Sequence, residues 1–269
     1  MNLRETTMKS EQFLRISRLL GDEAIQSLYT KHVTLVGLGA VGSMALESLI
    51  RSGLGSVTVI DFDTIGITNL NRQILATYET LGIEKTAVAK KRVEAINPHC
   101  RVEALPLFVN RQSVEQIFER KSDLIIDAID SLSPKVALLE TAYKKGIPVI
   151  SSMGAALRRD PFLVRKGDLM DTWGCPLAKQ VRYRLRRNGV GRGIDVIFSA
   201  EAIRFTYKDP SEEEHADFNE QISETGRRRN VLGSLPTVTA IFGQQLAHLA
   251  LTKLLGEEEL GASEVFNAR

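Results

Sequence analysis

Residues 35–42 read LVGLGAVG and residues 56–73 read SVTVIDFDTIGITNLNRQ. In the first stretch an apolar run ends in Gly37, Gly39 and Gly42. Missing β-carbons there let the chain turn sharply and let the next helix bring its N-terminus close to a phosphate. In the second stretch another apolar run ends in Asp61, near the ~20-residue offset at which an acidic side chain binds a ribose hydroxyl in a dinucleotide-binding unit. The glycines alone fit a NAD-binding oxidoreductase and an adenylating enzyme equally, because their spacing reports backbone geometry rather than chemistry, and with Asp61 added the pattern by itself points to NAD. The group that follows, Asp63, Asn69, Asn71 and Arg72, separates the two. A nicotinamide needs no polar and cationic cluster just past the second strand, whereas a triphosphate does. Arg51, in the helix after the glycine loop, is a further cation that either reaches phosphate or pairs at the surface.

The elements that must position these residues alternate along the first half. Helical patterns cover 11–20 and 22–29, with Gly21 between them, followed by strand 32–37, helix 41–52, strand 56–61 and helix 84–96. Strand 101–106, helix 111–120, strand 123–128, helix 132–145 and strand 147–151 complete the series. Such alternation predicts an α/β fold with a doubly wound, mostly parallel sheet. Beyond residue 152 it stops. Strand-like 162–165, helix-like 176–187 and strand-like 194–199 precede a charged stretch and a final helix at 236–255. Residues 1–152 therefore read as N-terminal helices plus a nucleotide-binding half. Residues 153–269 read as the substrate-specific half of the same domain, with antiparallel strands and helices and a mobile acidic loop over 208–229.

The length of 269 residues and ordinary charged and apolar fractions fit one large α/β domain or two small ones. Cys100 and Cys175 are the only cysteines, too few for a disulfide framework, so a reducing, cytoplasmic setting is expected. No signal peptide is visible. Residues 235–255 are borderline hydropathic, but Gln244, Gln245, His248 and Lys253 interrupt them, and no membrane insertion is expected. Charge is segregated in the second half, where residues 158–192 carry ten Lys or Arg against three Asp. A helix bearing Lys179, Arg182, Arg186 and Arg187 is a candidate RNA-docking face, since neutralising phosphates supplies most sequence-independent affinity for nucleic acid. The alternative is a solvated helix face. Arg227, Arg228 and Arg229 form a second cluster, and the net charge of only +2 confines any RNA footprint to a local patch.

Taken with Lys85 and with Asp130 in the run Ile-Asp-Ala-Ile-Asp-Ser, residues 13–152 resemble the ATP-dependent adenylating superfamily of the ubiquitin-activating enzymes and the activators of molybdopterin and thiamin biosynthesis. The resemblance implies a Rossmann-like, E1-like adenylation fold, ATP as cosubstrate and Mg2+ as metal. It makes Asp61 the ribose ligand, Asn69, Arg72 and Lys85 the phosphate-handling residues, and Asp130 the Mg2+ ligand. Gly37, Gly39, Gly42 and Asp63 complete the nucleotide set. Arg15-Ile-Ser-Arg18 matches the superfamily's Arg-x-x-Arg element, which implies a homodimer in which Arg18 reaches the partner's ATP site.

Two later runs, Asp171-Thr-Trp-Gly-Cys175-Pro and Asn230-Val-Leu-Gly-Ser-Leu-Pro236, are similar to the tRNA threonylcarbamoyladenosine dehydratase branch. That branch implies adenylation of the threonyl carboxylate of the modified adenosine beside the tRNA anticodon, then ring closure with loss of water. It also implies a cysteine desulfurase or its sulfur acceptor as a partner. An activator of a ubiquitin-like or sulfur-carrier protein would share every ATP residue, but such enzymes usually carry a tetra-cysteine zinc site that two unpaired cysteines cannot build. Cys175, before Pro176 at a helix start, is either a reactive thiol or a buried one. Cys100 reads as structural, and no acid or base for the ring closure can be chosen.

Overall fold

A computed structural model describes residues 11–203 and 232–256. The chain enters through a short 3-10 turn, Glu11–Phe13, and two helices, α1 (Leu14–Leu20) and α2 (Asp22–Thr30), separated at Gly21 with φ 86°. Then come β1 (His32–Val36), α3 (Ala40–Arg51), β2 (Ser56–Ile60), α4 (Lys85–Ile96), β3 (Arg101–Leu105), α5 (Glu115–Phe118), β4 (Leu124–Asp127), α6 (Leu132–Lys145) and β5 (Val149–Ser152). β6 (Val164–Asp168), α7 (Pro176–Arg187), β7 (Asp195–Ser199) and α8 (Pro236–Leu255) follow. The described strands form one sheet in the order β3-β2-β1-β4-β5-β7-β6, parallel except where β6 runs antiparallel to β7.

The near-continuous apolar strands demand cover on both faces. Val33, Leu35, Val57, Val59, Leu124 and Ile126 point to one side, where α3, α4 and α8 bury Leu46, Leu49, Val88, Val93, Phe242 and Leu246 against them. Val36, Ile60 and Ile125 point to the other, under α6 and α7 with Leu138, Leu139, Ala178, Val181 and Leu185. The strand order reverses between β1 and β4, which leaves a crevice beyond their C-terminal ends where open α/β sheets bind ligands.

Two departures from the sequence pattern have local causes. The helix expected over 111–120 contracts to Glu115–Phe118, because the Asn110 side chain accepts the amides of Gln112 and Ser113 and holds a turn there. The strand expected over 162–165 starts at Val164 and runs to Asp168, since Asp160 and Pro161 open a 3-10 turn first, with the Asp160 carboxylate accepting the Phe162 amide. The apolar segment 235–255 is α8, laid over the sheet and along α3, and among the described residues no helix is long and apolar enough to cross a membrane. Two of its polar side chains are paired: Gln244 accepts from Ser48 of α3, and Lys253 pairs with Asp195 of β7 at 2.6 Å.

α8 comes this close to α3 because Gly243 faces it. A β-carbon there would lie 2.6 Å from the Val41 carbonyl oxygen and 2.7 Å from the Met44 β-carbon. In an exposed helix Gly→Ala gains about 1 kcal/mol of propensity. Here overpacking reverses the sign, and Gly243→Ala is expected to destabilise the fold by about 1–3 kcal/mol in urea unfolding. A stabilised variant would show that the two helices separate freely.

Candidate active site

At the end of β1 the Gly37 amide donates to the Ile60 carbonyl, and the chain turns at φ 96°. Any β-carbon on Gly37 would meet the Ala128 carbonyl oxygen at 2.7 Å, and one on Gly42 would sit 1.8 Å from the Gly37 carbonyl oxygen. Both positions therefore need glycine for packing. Gly39, the N-cap of α3, differs: a β-carbon there would find nothing within 4 Å. Its missing side chain leaves the helix N-terminus open to a ligand.

Asp61 stands at the end of β2 with both oxygens oriented by the backbone. Oδ2 accepts the Leu38 amide at 2.6 Å and Oδ1 accepts the Asp63 amide at 2.9 Å. Burial pushes its carboxyl above the usual aspartate range, against the opposing pull of Lys85 and the two amides. Lys85, buried at the start of α4, places its ammonium 2.9 Å from Asp63 Oδ2, while its amide donates to the Asp63 carbonyl. Asp63 thus holds Lys85 beside Asp61, with its own carboxylate occupied by that lysine. Asn69 is buried and accepts the Gly66 amide. Arg72 donates to the Thr68 carbonyl and to Asn71 Oδ1. Next to it, Gln73 was not expected in the site, yet its buried Oε1 has no hydrogen-bond partner among the described residues.

Asp130 is exposed in the turn between β4 and α6, where it accepts the Ser131 hydroxyl. Behind it lies a group that the sequence reading missed. Lys135 of α6, fully buried, contacts Asp127 Oδ2 at 2.5 Å, Ser151 Oγ at 3.1 Å and the Ser152 carbonyl at 2.9 Å. Asp127 also accepts the Ser151 hydroxyl and, through Oδ1, the Ile129 amide. The signal was present in the periodicity: Lys135 falls on the stripe 132, 135, 136, 139, 142 that otherwise buries leucine, valine and alanine. A charge at a core position predicts a buried partner.

Arg51 pairs with Glu47, whose carboxylate also binds Arg92, so it belongs to an ion-pair cluster on α3 and α4 rather than to the glycine loop. Cys175 caps α7, its sulfur accepting the Ala178 amide at 3.4 Å, and it is buried. Burial pushes the Cys100 thiol up to about 12, which keeps it protonated and inert. Arg18 is exposed on α1, in the same helix as Leu14 and the 80 % exposed Leu19.

The basic segment is sorted by the fold. Arg158 is buried and donates to the carbonyls of Glu201 and Gly174. Arg184 donates to Ser133 and Arg192 forms a two-pronged pair with Asp171. Lys179, Arg182, Arg186 and Arg187 remain together on the outer side of α7 around one open depression of about 560 Å3. Arg227, Arg228 and Arg229 lie outside the described residues.

The ThiF family model matches residues 11–268. The chain is 35 % identical to the tRNA threonylcarbamoyladenosine dehydratase of Escherichia coli over 257 residues, 92 % of this chain and 94 % of that protein. It is 41 % identical to the Bacillus subtilis protein of the same name over 191 residues, 71 % of this chain and 75 % of that protein. The crystal structure of the E. coli enzyme in complex with ATP superposes with a TM-score of 0.79 at 34 % identity, covering 94 % of this chain and 97 % of that one.

The Lys135–Asp127 pair is open to a direct test. Lys135→Met leaves a buried carboxylate without its counter-charge and is expected to cost about 3–5 kcal/mol in urea unfolding, whereas adding Asp127→Leu to it should recover most of that loss. A single variant that loses less than 1 kcal/mol would mean that water reaches Asp127.

Proposed function

The chain belongs to the ThiF family, and from that premise we propose that it is an ATP-dependent tRNA threonylcarbamoyladenosine dehydratase. In this reading it adenylates the threonyl carboxylate of the modified adenosine next to the anticodon and closes it into a ring with net loss of water. The observation that carries the reading is the convergence of Gly39, Asp61, Lys85 and the Asp130 turn at the crevice of a sheet whose likeness to the ATP-bound dehydratase spans 94 % of the chain. The residues fit an adenine nucleotide. Gly39 leaves room at a helix N-terminus, Asp61 offers an oriented acceptor to ribose hydroxyls, and Gln73 offers a buried acceptor that has no partner within the described chain.

A carboxylate approaching the α-phosphate brings negative charge toward negative charge, so the task of the protein is positioning and cationic stabilisation. We assign Lys85, held in place by Asp63, to the phosphate oxygens, with Arg72 and Asn69 beside it. Asp130 would hold Mg2+, which when bound offsets the triphosphate charge; one exposed carboxylate suffices, because Mg2+ usually takes one or two carboxylates plus substrate phosphates. Once pyrophosphate has left and the mixed anhydride exists, the carbamoyl group of the same nucleoside attacks its acyl carbon and AMP departs. This intramolecular step has a high effective molarity and requires no enzyme nucleophile. The buried Cys175 is left out of it.

We further propose a cytoplasmic homodimer in which Arg18 enters the partner's ATP site, a view supported by its exposure beside Leu19. Residues 153–269 would serve as the substrate half, with a cysteine desulfurase or its sulfur acceptor as an additional partner. The deciding experiment is mass spectrometry of tRNA nucleosides after incubation with enzyme and ATP, in which threonylcarbamoyladenosine should lose one water. A stable adenylate on a Gly-Gly-ended protein, with tRNA untouched, would instead identify a carrier-protein activator.

Four variants probe the assignments. Asp130→Ala should abolish turnover in a folded protein, and Arg72→Ala should lower it by about 100-fold, by analogy with a lost oxyanion donor. A change below threefold would make Arg72 a surface charge. Mixing inactive Arg18→Ala with inactive Lys85→Ala protein should restore partial activity, since heterodimers hold one intact composite site. Failure to complement with subunit exchange verified would place Arg18 in its own subunit's site or outside it.

A further inference from the structure

We infer that Tyr183 is a stacking platform for an unpaired base of the RNA substrate, with Lys179 and Arg186 receiving the phosphates on either side of that base. The inference rests on the dehydratase reading above and adds a contact to it. α7 buries Ala178, Val181 and Leu185, and it turns Lys179, Arg182, Tyr183, Arg186 and Arg187 toward one depression. The depression is open to solvent and is lined by side chains of this one helix.

The lining is unusual in what it leaves unsatisfied. Tyr183 is 58 % exposed although a tyrosine ring gains by burial. The Arg187 guanidinium lies over this ring, 5.6 Å from its centroid, and reaches the hydroxyl at 3.5 Å, which steadies an otherwise free side chain. Among the described residues neither Lys179 nor Arg186 has an acidic partner, while the neighbouring Arg158, Arg184 and Arg192 are each engaged with carbonyl, hydroxyl or carboxylate groups. Arg182 donates to the Thr172 hydroxyl, and partial burial together with the nearby Arg186 charge pulls its guanidinium below the usual arginine range. Cations crowded without counter-charge among the described residues call for an anion.

An aromatic ring at their centre narrows the anion to one that also carries a flat apolar face. Single-stranded RNA does so, because its splayed bases stack on tyrosine while its phosphates meet lysine and arginine. An acidic peptide would use the cations and gain little from the ring. Position agrees with this choice. Arg184, on the same helix, donates to Ser133 of α6, three residues past Asp130, so α7 is tied to the turn that closes the proposed ATP site. A base stacked on Tyr183 is then one that neighbours the modified adenosine in the anticodon loop.

Stacking and charge contact leave different signatures, which makes the idea testable with the full-length protein. Binding of an anticodon stem-loop RNA carrying threonylcarbamoyladenosine would be followed by fluorescence anisotropy across a series of salt concentrations. Tyr183→Leu should weaken binding by about 5- to 100-fold at every salt concentration, the range found when a base loses its aromatic partner. The slope of log affinity against log salt should stay as in the wild type, and Tyr183→Trp should bind normally. Lys179→Ala with Arg186→Ala should instead lower that slope by about 0.7–0.9 per lost phosphate contact. Unchanged affinity of Tyr183→Leu, in a preparation where wild-type enzyme still dehydrates tRNA, would overturn the stacking role alone. A Tyr183→Leu loss that also flattens the slope would show that the ring only props Arg187, and would overturn it too. Wild-type protein that neither dehydrates nor binds the RNA would overturn the dehydratase reading together with this one.

Discussion

The molecule depends on how closely β1 and β4 approach at their C-terminal ends. The Gly37 carbonyl fills the space a Gly42 side chain would take, and the Ala128 carbonyl fills the space a Gly37 side chain would take. The nucleotide loop and the turn bearing Asp130 are therefore one packed unit, and neither can shift without the other. Behind them the Lys135 ammonium joins Asp127 of β4 to Ser151 and Ser152 of β5. Removing either charge exposes the other to an apolar interior, which is why such a pair constrains geometry more than it adds stability. Since Asp127 Oδ1 also takes the Ile129 amide, the first residues of the Asp130 turn are fixed by the same buried carboxylate.

How legible was this in the sequence? The glycines, Asp61 and the strand-helix alternation were readable because each is a local pattern: backbone freedom, an offset along two strands, a period. Asp63 was readable as polar and near the phosphates, but its pairing with Lys85 spans 22 residues and depends on the bridge between Thr64 and Glu84. Lys135 is invisible in the extent of α6 and shows only when the inward-facing stripe is assigned residue by residue. The run of ten cations over 158–192 looked uniform in sequence, yet burial and pairing divide it: Arg158 is among the largest fully buried side chains, while Lys179 stays solvated. That division is tertiary, set by what each side chain meets in the fold: Arg158 the carbonyls of Glu201 and Gly174, Lys179 the solvent.

The placement of β7 between β5 and β6 could not be foreseen from the order of elements. Alternation ended at β5, and the strands beyond it could have formed a separate layer. They extend the same sheet instead, so α7 docks on α6 over a shared apolar cluster containing Leu138, Val181 and Leu185. The second half is thereby fastened to the turn that carries Asp130, through side-chain contacts such as Arg184 with Ser133 as well as through the core.

This arrangement divides the physical work between two kinds of group. Around the crevice several polar groups are already oriented: Asp61 by two backbone amides, the buried Lys85 by Asp63, and the buried Asp127 by Lys135. Little reorganisation remains when charge develops, and salt screens buried pairs weakly. On α7 Lys179 and Arg186 are exposed and, among the described residues, without an acidic partner, which suits recognition of a long polyanion whose salt-sensitive contacts must form and release. A site of the first kind can enforce one geometry on a small nucleotide. A surface of the second kind gives affinity without sequence preference, so an exposed ring within it adds what charge lacks, a requirement that one base leave its stack. In the proposed reaction that requirement matters, because drawing a neighbouring base out of the stack frees the modified adenosine to bring its carboxylate toward a phosphate in the crevice.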